Sequence, residues 1–278
     1  SVASVAAAST ASDTELQAQI SKLIVAVQQL RGATSTIRQS VAASSEYFAF
    51  DPLWRNAVVN LFCTERGSGG LTSGSGVIID PRGVILTNAH VATDFIFSEW
   101  PSPSLTDCVI RTGSPASPVY RARLLYYPEQ FVRDSISGIA EDKIVYGDND
   151  YALLVITGVV TSSMEMPKEF PFLPMSSSMP LVNEPVYLDG YASEYTSFET
   201  LQRNLYQLAS PAVVHVQRGI GAGIQPDVIA FKGTIAGQHG SSGGAVIAKG
   251  GTLAGLMTFF DKKMGPTTGE KVLNAITV

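Results

Sequence analysis

The chain is poor in charge. Asp, Glu, Lys and Arg make up 15% of its 278 residues, against ~25% in an average soluble domain. The net charge is −5 and no Lys/Arg cluster is present, so nothing is built to hold a phosphate backbone and no nucleic-acid partner is expected. Two cysteines suffice for neither a disulfide scaffold nor a four-cysteine zinc site. No apolar run approaches the ~20 residues of a membrane span. The sequence opens on Ser1 rather than Met, so a processed or trimmed product is expected, with any upstream signal or anchor out of sight. What is present is a 45% hydrophobic content, enough to bury a core and to exclude disorder over most of the chain.

Residues 1–11 are small and low in complexity and read as a flexible leader. Ser12 and Glu15 then have the spacing of a capping box, in which a hydroxyl and a carboxylate satisfy the free N–H groups of a helix start. Leu16, Ile20, Leu23, Val27 and Leu30 follow at alternating spacings of four and three, and Ile37 and Val41 extend the stripe. An amphipathic helix is expected over 12–44, either packed on its own domain or self-associating through 16–41. From about residue 55 the periods shorten, and Gly, Ser, Thr, Pro and β-branched residues take over. Strands are expected at Ala57–Cys63, Gly76–Ile79, Gly83–Thr87, Asp107–Arg111, Val119–Leu125, Tyr151–Ile156, Pro185–Leu188, Val213–Val216, Ile229–Phe231, Gly244–Ala248 and Thr252–Phe259. Many short strands spaced by turn residues argue for a mainly β barrel or sandwich. The Pro-containing stretch 158–180 divides the β region into two similar halves, about 55–157 and 181–278 within a domain spanning 45–278. Residues 66–76 are rich in Gly and Ser, but no Gly-Lys-Ser/Thr follows, so a hairpin loop is expected there rather than a phosphate loop.

The chain has three histidines. His215 lies mid-strand in Val-Val-His-Val and reads as structural. His90 ends a short apolar strand, Gly83–Thr87, on a polar turn, and Asp150 stands at the start of the apolar run Tyr151–Val155. His239 precedes Gly240-Ser241-Ser242-Gly243-Gly244. Glycines on both sides of a serine permit a tight turn whose N–H groups converge on one spot, as an oxyanion requires. The order His, Asp, Ser, spread over residues 90–242, is one of the known orders of a hydrolytic triad.

Thr87-Asn88-Ala89-His90-Val91, Asp150-Tyr151-Ala152-Leu153-Leu154 and Gly240-Ser241-Ser242-Gly243-Gly244 resemble the three signature blocks of the trypsin-like serine peptidases. The run over 74–91 is closest in flavour to the bacterial HtrA/Deg-like branch. The resemblance covers about 55–278 and implies a double six-stranded β-barrel with the site in the cleft between barrels. It assigns Ser242 as nucleophile, His90 as general base and then acid, Asp150 as the group orienting His90, and the backbone N–H groups of Gly240 and Ser242 as the oxyanion hole. It implies a protein or peptide substrate, no metal or organic cofactor, and an exported, extracytoplasmic or secreted location. It also places Ala236 at the floor of the primary pocket with Gly237 beside it and His239 nearby. Thr258 and Phe259, in the strand about Leu253–Phe260, form the wall, so an uncharged residue is expected before the scissile bond.

Several positions depart from animal relatives. Val91 stands where those carry a disulfide cysteine. Ser241 replaces the aspartate that pairs with a freshly cut N-terminus, so activation by N-terminal insertion is not expected. The 36 residues after Ser242 are too few for a PDZ domain within this sequence. In the resembled barrel the first and fourth strands meet; if Cys63 and Cys108 lie on those strands they can bond, the alternative being two buried thiols. Two other functions fit the same residues: an esterase-like hydrolase, and a non-catalytic trypsin-fold scaffold assembled through the N-terminal helix.

Overall fold

The computed structural model describes residues 48–100, 105–140, 149–193, 197–218, 228–232, 240–261 and 272–277. The expected leader and helix over 1–44 lie outside these residues, as does the proposed self-association through them. Six strands, β1 (Val58–Glu65), β2 (Leu71–Asp80), β3 (Val84–Thr87), β4 (Thr106–Thr112), β5 (Ser117–Tyr126) and β6 (Ala152–Val159), close a barrel in the order β1-β2-β3-β6-β5-β4. Six more close a second: β7 (Pro185–Gly190), β8 (Leu208–Arg218), β9 (Val228–Lys232), β10 (Ala245–Ala248), β11 (Thr252–Asp261) and β12 (Val272–Thr277). Its circular order is β7-β8-β9-β12-β11-β10, so the two barrels repeat one connectivity. This is the expected double six-stranded barrel.

Eleven of these strands overlap the expected segments, and β12 is the one not anticipated. Its run Val-Leu-Asn-Ala-Ile-Thr carries a polar Asn274 at its centre, which blurs the alternation that marks a half-buried strand. The reading of 66–76 as one hairpin loop is corrected. β2 begins at Leu71 and pairs with β1 through Thr64↔Leu71 to Val58↔Val77, leaving only 66–70 as the turn. Gly74 is a strand residue because Val91 fills its side-chain position: a Cβ there would lie 2.4 Å from Val91 Cγ1.

Alternation along the strands sorts side chains into three layers. Val59, Leu61, Ile78, Ile85, Ile110 and Leu154 fill the first barrel. Val186, Leu188, Val214, Phe231, Val246 and Met257 fill the second. Val58, Val77 and Leu86 from the first meet Tyr191, Ala245 and Leu256 from the second in a shared apolar layer. Each large aliphatic side chain buried this way contributes about 1.5–3 kcal/mol. Helix α1 (Ala89–Glu99) follows β3 directly and buries Ala89, Val91, Ala92 and Phe95 in the first core. Two further helices, α2 (Glu129–Ala140) and α3 (Phe198–Arg203), lie between β5 and β6 and between β7 and β8.

The barrel register settles the cysteines. β1 and β4 pair antiparallel with Cys63 directly opposite Cys108, and the two form a disulfide. Of the two outcomes left open, the structure holds the bridge. Arg111, on β4, is also buried; its Nε donates to Asn60 Oδ1 at 2.6 Å and its Nη1 to the Leu201 carbonyl at 2.8 Å. A β4 side chain thereby holds the last turn of α3, across the barrel boundary. Burial pulls the Arg111 guanidinium down to about 10.

Candidate active site

β3 and β6 are neighbours, and their register ends on Thr87↔Ala152. That pairing brings the residues just after β3 beside those just before β6. Asn88 is the N-cap position of α1 and donates from Nδ2 to the Asp150 carbonyl at 2.8 Å. His90, in the first turn of α1, donates its backbone N–H to Asp150 Oδ1 at 3.0 Å. Its ring Nδ1 lies 2.8 Å from Asp150 Oδ2 and 3.0 Å from Oδ1. Asp150 is fully buried, whereas the His90 side chain is 31% exposed.

The tautomer follows from this geometry. An ionised carboxylate can only accept, so Nδ1 must carry the proton and Nε2 presents a lone pair. A third donor completes the carboxylate: Thr258 Oγ1 donates to Asp150 Oδ2 at 2.9 Å. Thr258 belongs to β11, where the register against β12 shifts between Met257 and Phe260. Such an irregularity re-aims a strand residue. Thr258 is expected to line the substrate pocket; its hydroxyl is bonded to Asp150, and the rest of that pocket lies largely outside the described residues. Its carbonyl accepts a hydrogen bond of 2.9 Å from Ser242 Oγ. One residue of the second barrel is thus tied to both the acid and the serine.

The loop carrying Ser242 depends on left-handed backbone at Gly240, φ 91°, and Gly243, φ 82°. Space forbids a side chain at either. A Cβ on Gly243 would lie 2.0 Å from the Ser75 carbonyl oxygen, and one on Gly240 2.7 Å from that of Tyr191. The Ser241 carbonyl accepts from Gly244 N–H at 2.8 Å. Because N–H and C=O of one peptide point oppositely, the Ser242 N–H is turned away from that contact. The partner peptide of Gly240 N–H includes His239, which lies outside the described residues. The same holds for Ala236 and Gly237, and for the side chain of Phe259, so the expected pocket has no described floor. His215, read as structural, is an exposed residue on β8. Among the described residues no cluster of His, Cys, Asp or Glu could hold a metal ion, and no helix is long and apolar enough to cross a membrane.

Two buried residues near the loop carried no assigned role in the sequence. Ser75, on β2, bonds to the loop directly. Asp189, on β7 opposite Ala245, is also fully buried. Gln207 Nε2 donates to its Oδ2 at 3.0 Å, while its Oδ1 has no hydrogen-bond partner. Burial pushes its carboxyl up to about 7, with Gln207, the Arg55 charge and the Gly190 N–H pulling in the opposite direction. No spacing signal marks either residue, because their partners lie tens to more than a hundred positions away.

The double barrel, the His–Asp pair and the glycine-framed serine loop define a class. The chain matches the trypsin-like peptidase domain over residues 74–256, more than half its length, and belongs to that family. Its fold is similar to that of the serine endoprotease from Yersinia pestis, with a TM-score of 0.51 and 19% identity over 84% of this chain and 64% of that one. It is also similar to the Rv3671c protease from M. tuberculosis in its active form, with a TM-score of 0.49 and 15% identity over 84% of this chain and 88% of that one. The chain therefore spans less than two thirds of the Yersinia protein. No curated protein sequence matches it.

Proposed function

We propose that the chain is a serine endopeptidase that cleaves through an acyl-enzyme on Ser242. The observation carrying this reading is the Asp150 carboxylate. Buried, it accepts from His90 N–H, His90 Nδ1 and Thr258 Oγ1, which leaves Nε2 as the base. Ser242 Oγ attacks the peptide carbonyl carbon and its proton passes to Nε2. The oxyanion so formed is stabilised by the N–H groups of Gly240 and Ser242. The C–N bond breaks as His90 protonates the departing amine. Water then attacks the acyl carbon, with His90 again taking a proton, and the serine is restored. Every proton and electron pair is handled by these residues and the solvent, so the reaction draws on no cofactor.

A pocket floored by Ala236 offers no counter-charge for a basic side chain, which is costly to desolvate alone. Cleavage after an uncharged, aliphatic or small residue is therefore expected. The Cys63–Cys108 bridge supports an extracytoplasmic site of action, because disulfides persist in oxidising compartments. The decisive test is covalent labelling with a fluorophosphonate, together with peptide turnover. The wild-type chain and Ser241→Ala should label and cleave, and Ser242→Ala should do neither while remaining folded. Labelling of Ser242→Ala would overturn the assignment. Turnover of esters but not peptides would favour the esterase reading, and dominant cleavage of a mixed peptide library after Lys or Arg would sink the pocket argument.

A further inference from the structure

Ser75 is a fully buried residue of β2, in a run whose small side chains let two backbones approach. Each of its polar groups is engaged. Its carbonyl accepts from Thr87 Oγ1 at 2.7 Å, within its own barrel. The other three bonds cross to the second barrel. Its Oγ accepts from Tyr191 N–H at 2.9 Å and donates to the Gly240 carbonyl at 2.9 Å. Its N–H donates to the Ser242 carbonyl at 2.8 Å.

The consequence lies in which peptides are held. The Ser241–Ser242 peptide carries the N–H assigned to the oxyanion. The Gly240 carbonyl precedes that peptide and the Ser242 carbonyl follows it, and Ser75 holds both. The Ser241–Ser242 peptide turns about the bonds on either side of it, at Ser241 and Ser242, and such a turn displaces one or both of the carbonyls that Ser75 holds. We infer that Ser75 is a positioning residue that fixes the orientation of the Ser242 N–H, and with it the alignment of the serine loop of one barrel against the His90–Asp150 pair of the other. The backbone bond is kept when Ser75 is replaced by alanine or cysteine, so the side chain contributes the pin on Gly240, and its loss also strands the buried Tyr191 N–H.

This inference rests on the peptidase reading, and the experiment separates the two. Active sites are counted with a fluorophosphonate, and turnover is measured on a fluorogenic peptide taken from the mixed library. Binding of the corresponding peptide aldehyde, whose adduct carries the tetrahedral oxyanion, is measured alongside. Removing a direct oxyanion donor typically costs about 100–1,000-fold in kcat. Loosening one through its loop should cost less. Ser75→Ala is expected to lower kcat per labelled site by about 10–100-fold with KM within about threefold, and to weaken aldehyde binding by a matching factor. Ser75→Cys, of nearly the same size and a weak donor and acceptor, should fold even where Ser75→Ala does not, and should show the same pattern reduced to about 3–10-fold. A purely structural role would lower the melting temperature and leave kcat per labelled site unchanged. That outcome in the folded variant overturns the inference and leaves the peptidase reading standing. A wild-type chain that neither labels nor cleaves overturns the reading itself.

Discussion

The two barrels share one strand order but are held in different ways. The first is closed covalently at β1–β4, has α1 packed on its core, and builds the His90–Asp150 pair from adjacent ends of its own strands β3 and β6. The second contains no cysteine, and its serine loop takes two of its hydrogen bonds from Ser75 in the first barrel. Their buried aspartates differ in the same direction. Asp150 has three side-chain and backbone donors on its carboxylate. Asp189 has one side-chain donor on one oxygen and none on the other. The His90–Asp150 half takes two of its three carboxylate bonds from its own barrel and the third from Thr258 of the other, whereas the serine loop is tied across the interface through Ser75. Damage to the first should change the chemistry of a group, and damage across the interface should change alignment.

The largest effect expected from this division is at Asp150. Asp150→Asn keeps the shape but replaces one carboxylate oxygen by an NH2 donor; with the remaining oxygen on the His90 N–H, that NH2 faces Nδ1 and favours the wrong tautomer. A fall in kcat of about 10⁴-fold is expected, with the fluorophosphonate reaction slowed in parallel and the melting temperature little changed. A variant retaining a tenth of wild-type activity would show that the carboxylate does not set the tautomer.

Asp189 should govern pH-dependent stability instead. Its folded carboxyl titrates near 7, against an ordinary 3.8. Below 3.8 both states are protonated and stability is highest. As pH rises toward 7 the unfolded chain has released the proton and the folded chain still holds it. Stability therefore falls across that window, by at most about 1.4 kcal/mol per pH unit for one proton. Asp189→Asn should remove this slope. Urea melts at pH 4, 5.5, 7 and 8 test it, and an unchanged slope in the variant would assign the dependence to another group.

The disulfide comes next. It spans 45 residues of sequence, and the chain-entropy relation gives about 3–4 kcal/mol for a loop of that length. Cys63→Ala with Cys108→Ala should lower stability by that amount while kcat per labelled site stays within about twofold. A large loss of kcat would mean that the first barrel's frame is not independent of the site.

Much of this arrangement was legible in the sequence, and the boundary is physical. His90, Asp150 and Ser242 each sit in a short local run, and it is through such runs that the resemblance to the trypsin-like peptidases assigns them. The strands were read wherever apolar residues alternate, and β12 escaped because Asn274 interrupts the pattern. Helix α1 escaped because Val91, Thr93, Phe95, Ile96 and Phe97 are weak helix formers; burial of one face of the helix in the first barrel holds it instead. Ser75, and the bond that Thr258 makes to Asp150, were out of reach for a different reason. Their roles lie in hydrogen bonds to residues 165 and 108 positions away, and one serine or threonine in a β-rich chain looks like any other.

Thr258 sharpens the comparison at its finest point, because it is the one described side chain of the second barrel that completes the acid of the first. Thr258→Val preserves shape and keeps the carbonyl that accepts from Ser242, and removes only the hydroxyl on Asp150 Oδ2. Two donors from His90 remain, so the imidazole keeps its orientation with Nδ1 toward the carboxylate. The lost bond is one of three to a buried charge, worth about 1.5–3 kcal/mol when intact; part of that is recovered as the remaining donors tighten. A drop in kcat of about tenfold is therefore expected, with KM unchanged, far short of the Asp150→Asn loss. Thr258→Ser should restore the wild-type rate, since it returns the hydroxyl at the same position. If Thr258→Val matches Asp150→Asn, the two His90 donors do not suffice to hold the pair, and the His–Asp half depends on the second barrel as heavily as the serine loop depends on the first.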